Sequence, residues 1–139
     1  PSLKNIAKHH FVAKTRENEL AKKWSKNLEV KTGSVNNYCT TLSGGNKQKV
    51  VLAKWLAKGS DIMILDCPTR GIDIGAKASI YQLIEKLKKD GKSIVLISEE
   101  LPELIGMSDR IITLKNGMIS GEFHRDDGLS EAKLIHKMI

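Results

Sequence analysis

The sequence predicts an α/β fold built on a parallel sheet, and three observations carry that reading. Ile62–Leu65 and Ile94–Ile97 are short, uninterrupted apolar runs, the pattern of strands covered on both faces. Between them Ala76, Ile80, Leu83, Ile84 and Leu87 recur at helical spacing. Strand, helix and strand in that order imply a right-handed parallel crossover.

Composition supports a globular chain of one domain or part of one: 139 residues, 40% apolar, 28% charged and 4% aromatic. Mean hydropathy is -0.26, and no apolar run approaches the ~20 residues of a membrane span. Two cysteines, Cys39 and Cys67, without an apolar leader predict a reducing, cytosolic setting rather than a disulfide framework. The net charge of +7 is concentrated at the front, where residues 1–41 carry 8 basic and 3 acidic side chains. Lys4, Lys8, Lys14, Lys22, Lys23 and Lys26 lie among almost no aromatics, so a solvated helix face accounts for them better than a nucleic-acid or membrane patch.

Each element follows from its own pattern. Leu20, Trp24 and Leu28 recur every four residues and predict an amphipathic helix over 13–28, interrupted by Gly33-Ser34. The Asn- and Thr-rich stretch 35–41 has no period and reads as a loop. Ser43 is placed to N-cap a helix carrying Val51, Trp55 and Leu56 and stopped by Gly59. Asp66 then emerges at the C-terminal edge of the first strand, and Gly91 closes the crossover helix. A short helix near 102–106 follows. Ile111–Leu114 and Met118–Phe123 flank Asn116-Gly117, a hairpin signal, and a last helix starts near Ser130. There is no repeat or low-complexity tract, and buried strands begin only after residue 60. The chain therefore reads as the rear of a larger α/β domain.

Two places carry candidate chemistry. Leu42-Ser43-Gly44-Gly45 sets a hydroxyl and two bare residues on the first turn of a helix, where unpaired N–H groups and the helix dipole favour an anion such as phosphate. Taken alone, it is also a common helix start. Asp66 at the sheet edge suits Mg²⁺, although a lone Asp more often caps a turn.

The order of LSGGNKQKV (42–50), IMILDCPTRGID (62–73), IVLISEELPEL (94–104) and SDRI (108–111) resembles the second half of an ABC-type ATPase domain. The pieces match its signature motif, Walker B strand, D-loop and switch region. More narrowly, GNKQKV, PTRGIDIGAK and SEELPELIGMSDRI are similar to the second ATP-binding domain of two-domain monosaccharide importer ATPases of the ribose, galactose and xylose type. That resemblance implies a partial P-loop NTPase fold, with 1–41 the end of the helical subdomain and 42–139 the signature helix and ATPase core. It implies ATP and Mg²⁺ as cofactors. Its partners would be a second nucleotide-binding domain, membrane permease subunits and, indirectly, a sugar-binding protein, with no nucleic acid, at the cytoplasmic face of the membrane.

The resemblance also assigns residues. Ser43, Gly44, Gly45, Asn46 and Gln48 would serve ATP held by the partner domain, Asp73 would couple the two sites, and Asp66 would hold Mg²⁺ through water. No GxxxxGK[ST] loop or preceding Gln-containing loop is present, so the chain does not complete a nucleotide site. Cys67 stands where the family usually has the catalytic Glu, and a thiol with an ordinary pKa of about 8.5 is a poor substitute base. Glu99 stands at the usual switch His, where a carboxylate repels phosphate. The domain's own site is thus expected to bind nucleotide and hydrolyse it poorly.

Blander readings apply elsewhere. His9-His10 point apart on a helix and lack a ligand set. Trp24 and Trp55 read as core rather than sugar platforms, and Cys67 serves equally as an inert thiol at a strand end. Competing functions are import of a nucleoside or other small solute, a DNA-repair or chromosome-type ABC ATPase, whose long heptad segments are missing here, and a non-catalytic dimerisation module.

Overall fold

The computed structural model describes residues 7–8 and 11–139. Lys4 and His9-His10 lie outside them. A two-residue antiparallel pair, β1 (Ala7–Lys8) and β2 (Phe11–Val12), precedes α1 (Lys14–Asn27). A 3₁₀ turn at Cys39–Thr41 leads to α2 (Gly44–Leu56), β3 (Ile62–Asp66), α3 (Ile74–Lys89) and β4 (Ser93–Ile97). Then come α4 (Leu101–Met107), β5 (Arg110–Lys115), β6 (Met118–His124) and α5 (Glu131–Met138). The small β1–β2 pair has no sequence signal of the kind that marks the others.

Contacts divide the chain into two compact units, residues 1–63 with 68–94 and residues 64–67 with 95–139. In the first unit, α1 keeps Lys14, Lys22, Lys23 and Lys26 exposed and contributes no buried residue, as expected of a solvated face. Its core is formed by Leu28, Leu52, Leu56, Met63, Ile80, Leu83, Ile84 and Leu87, with α2 packed on α3. Trp24 is half-buried, with Lys23 Nζ 6.0 Å from its ring centroid. Trp55 departs from the expected core position and is 50% exposed. The inward stripe of α2 is Gly45, Leu52 and Leu56, and Trp55 lies to one side of it.

The second unit buries Leu65, Ile111, Thr113, Leu134 and the carboxylate-bearing Glu103, with α5 resting on β5 and β6. Asn116 and Gly117 both adopt positive φ, 52° and 77°, the conformation of a tight hairpin turn that leads β5 back into β6. Thr113 Oγ1 and Ser120 Oγ lie 3.0 Å apart across this hairpin. Arg125 ties the hairpin to the preceding helix by donating to the Ser108 and Gly106 carbonyls, each at 3.2 Å.

β3 and β4 pair directly. Ser93 N–H donates to the Asp61 carbonyl before the strands, and Cys67 N–H donates to the Ile97 carbonyl at their ends, both at 2.9 Å. Start meets start, so the pair is parallel, as the crossover predicts. Coverage on both faces is corrected: β3 alternates, with Met63 and Leu65 buried and Ile62 and Ile64 66% and 69% exposed. The apolar run is suited to two covered faces, but nothing in the described residues covers the second.

Candidate functional site

The N-terminus of α2 carries the first cluster. Ser43 has extended backbone (φ -61°, ψ 160°) and occupies the N-cap position, but its side chain makes no capping hydrogen bond. Asn46 engages it instead, donating from Nδ2 to Ser43 Oγ at 2.9 Å. The other end of that amide, Oδ1, accepts the Lys31 backbone N–H at 2.8 Å. The expected cap position is therefore correct and the expected cap bond is replaced, leaving the first-turn N–H groups without a side-chain acceptor. A 13-residue helix with glycines at its first two positions and no side-chain cap leaves first-turn N–H groups unpaired, the general condition for an anion site.

The two glycines have different reasons to be bare. Gly44 is exposed, and a methyl group there would approach Ile72 Cγ2 to 3.1 Å. Gly45 is buried, and a methyl group there would stand 2.5 Å from Ala76 Cβ, so its absence lets α2 lie close to α3. Gln48 is half-buried further along the same helix. Asp73 caps α3, its Oδ1 accepting the Ala76 N–H at 2.9 Å. Gly71, at φ +72°, turns the chain into that cap. Ser43, Gly44, Asn46 and Asp73 are thus gathered around two neighbouring helix starts, with Ile72 between them.

The second cluster lies at the β3 and β4 ends. Asp66 is exposed at the strand terminus. Cys67 is half-buried with φ +44°, a left-handed backbone that costs a non-glycine residue ~1–2 kcal/mol. Its N–H bond to Ile97 sets it next to the turn that carries Ser98 and Glu99, where Ser98 Oγ accepts the Glu100 N–H at 3.0 Å. Asp66, Cys67 and Glu99 therefore share one end of the parallel pair. Among the described residues no group of three or more His, Cys, Asp or Glu side chains is placed to hold a metal. A single exposed carboxylate still fits Mg²⁺, which keeps most of its water and takes one or two carboxylates beside phosphate oxygens.

A family model described as ABC transporter matches residues 2–70. The ribose import ATP-binding protein of Bacillus licheniformis is 45% identical over 131 residues, 94% of this chain and 27% of the relative. The Clostridium perfringens ribose import ATP-binding protein is 50% identical over 107 residues, 77% of this chain and 21% of the relative. The chain belongs to the ATP-binding domains of ABC transporters. It spans about a quarter of the length of these relatives. A dimeric bacterial ABC transporter cassette superposes with TM-score 0.68 at 28% identity, over 83% of this chain and 50% of that one. A dimeric cassette in a post-hydrolysis state bound to ADP and Pi gives TM-score 0.70 at 26% identity, over 89% and 56%. The ABC cassettes are P-loop NTPases, so the α/β reading and the partial domain hold together.

For this ABC segment, sequence reasoning missed the Lys31–Asn46–Ser43 chain and the packing role of Gly45. A signal for the first existed: Asn46 stands three residues after an N-cap Ser, the spacing at which an N3 side chain reaches back to the cap. No helix in the described residues is long and apolar enough to cross a membrane.

Proposed function

We propose that this chain is the rear of the second ATP-binding domain of a monosaccharide importer ATPase, with 1–41 ending its helical subdomain and 42–139 forming part of its core. The observation that carries the reading is the α2 start: LSGG at a helix N-terminus whose first turn has no side-chain cap. The names of the ribose import relatives favour a sugar as cargo over a nucleoside, and favour transport over DNA repair.

Ser43 and the Gly44 N–H hold the terminal phosphate of nucleotide seated on a partner ATP-binding domain, and Asn46 and Gln48 line the same helix. ATP, when bound, supplies the phosphoryl group whose transfer to water drives transport. Such a reaction needs positioning and charge stabilisation more than covalent chemistry from the protein. Asp66 would hold Mg²⁺ in the chain's own site. Cys67 offers no carboxylate to orient water, and Glu99 sets negative charge where phosphate would lie. The own site therefore binds nucleotide and hydrolyses it slowly, while the active site across the interface uses this chain's signature. Asp73, fixed as the α3 cap beside Ile72 and Gly44, couples the two. The assembly places the chain at the cytoplasmic face of a membrane, against permease subunits fed by a sugar-binding protein.

Two substitutions in the intact ATPase, assayed with its permease, test this. Gly44→Asp sets a carboxylate against the phosphate and is expected to lower ATP hydrolysis and uptake about a hundredfold or more. Cys67→Ser is expected to change either by less than about twofold. Wild-type uptake in Gly44→Asp overturns the signature reading. A Cys67→Ser loss as large as that of Gly44→Asp overturns the asymmetry between the sites.

A further inference from the structure

We infer that Asn46 is a positioning residue that commits the Ser43 hydroxyl to donate its proton outward, to a phosphate oxygen. The inference rests on the proposed role of Ser43 and adds how that role is enforced.

The direction of the hydrogen bonds follows from the donors available. The Lys31 backbone N–H can only donate, so the Asn46 carbonyl oxygen must face it, as it does at 2.8 Å. The Asn46 NH₂ is thereby turned to Ser43, 2.9 Å away, and it too can only donate. Ser43 Oγ must therefore accept, and its single proton is left over. Among the described residues no acceptor takes that proton. A serine in the N-cap position would ordinarily accept from the first helical turn; here Oγ makes no such bond and accepts from the Asn46 amide instead.

The anchor behind Asn46 is itself held. Lys31 belongs to a strap joining α1 to α2, pinned to α1 by Val30 N–H on the Ser25 carbonyl at 2.8 Å and to α2 by Lys49 Nζ on the Glu29 carbonyl at 3.3 Å. Asn46 is half-buried, and both ends of its amide already have protein partners. A donor oriented before the phosphate arrives needs no reorganisation when charge develops, which is the condition for effective electrostatic stabilisation.

A purely structural Asn46 would tether the strap and leave Ser43 unaffected, and a double-mutant cycle separates the two roles. In the intact ATPase with its permease, Ser43→Ala, Asn46→Ala and the double variant are compared by kcat and KM for ATP. We expect each single change to lower kcat about ten- to hundredfold, the loss of one hydrogen bond to a charged group, and to leave KM within about twofold. We expect the double variant to match the singles within about threefold. Losses that multiply, or a wild-type kcat for Asn46→Ala beside an impaired Ser43→Ala, overturn the inference. A wild-type Ser43→Ala instead overturns the signature reading on which it rests. Should Asn46→Ala not fold, Asn46→Asp keeps the acceptor for Lys31 and presents an acceptor to Ser43, drawing its proton inward. Its kcat loss is then expected to be larger with Ser43 present than in the Ser43→Ala background, and equal losses overturn the inference.

Discussion

At Gly45 a methyl group would stand 2.5 Å from the Ala76 Cβ, a separation that carbon atoms do not tolerate without movement of a helix. Gly45→Ala is therefore expected to destabilise the protein by about 1–3 kcal/mol through overpacking. Adding Ala76→Gly should restore part of that loss, read as the midpoint of denaturant unfolding; strictly additive effects would show that the α2–α3 approach is not the cause. The same scale shows what side-chain identity conveys and what it hides. The motif residues mark the proposed site at the α2 start by type and order, yet a glycine required by packing, Gly45, and an exposed glycine, Gly44, have the same letter. Asn46 in turn reads by type as a ligand-side residue, and the structure adds its two hydrogen bonds, to the Lys31 N–H and to Ser43 Oγ. A further residue-scale test concerns Asp61, which is exposed but accepts from Lys92 Nζ at 2.8 Å. The hydrogen bond and charge of Lys92 hold its carboxyl below the ordinary value of 3.8. A depressed folded pKa contributes stability above the unfolded value and loses it as pH falls through the folded one. The pair should thus matter above pH 3.8 and fade in more acidic solution. In an NMR titration, Lys92→Met is expected to return the Asp61 midpoint to the ordinary range, and salt to do so in part; an unchanged midpoint would remove the pair as its cause.

Helix ends and turns are the most legible parts of the elements in the sequence, because each has a local chemical cause. Gly59 and Gly91 follow α2 and α3 with φ +81° and +82°, and Ser130 caps α5 by accepting the Lys133 N–H at 3.3 Å. Asp73 does the same for α3, so Asp73→Ala is expected to lower stability by about 1 kcal/mol, whereas Asp73→Asn, which retains an acceptor, should stay near wild type. Equal losses in the two variants would mean that the carboxylate charge, and not the cap, is what stabilises this helix start. Strand coverage was harder to read. The run Ile62–Leu65 is apolar at every position, and such a run has no alternation to say which face lies inward. The inward positions of α2 posed a related difficulty: Val51, Trp55 and Leu56 all fit a helical stripe, while the buried set is Gly45, Leu52 and Leu56. A glycine adds nothing to an apolar pattern, so periodicity places the stripe on its neighbours.

Among the described residues, half of the large apolar side chains left exposed stand in rows on paired strands. β3 exposes Ile62 and Ile64, β4 exposes Val95 and Ile97, and the β5–β6 hairpin exposes Ile112, Leu114, Met118 and Ile119. Lone exposed apolar residues are ordinary on a protein surface, but rows of apolar residues on paired strands with open edges are a template for association. The 139-residue chain prepared alone is therefore expected to self-associate at micromolar concentration and to bind a hydrophobic dye. Ile64→Lys should shift it toward monomer in light scattering and reduce the dye signal. In the intact ATPase, where the proposed remainder of the domain would cover this face, the same substitution should instead lower the unfolding temperature, because a lysine would then be buried without a partner. A monomeric, dye-silent wild-type chain would show that these rows need no cover, and an Ile64→Lys change without effect in the intact protein would show that β3 keeps its outer face in water there too.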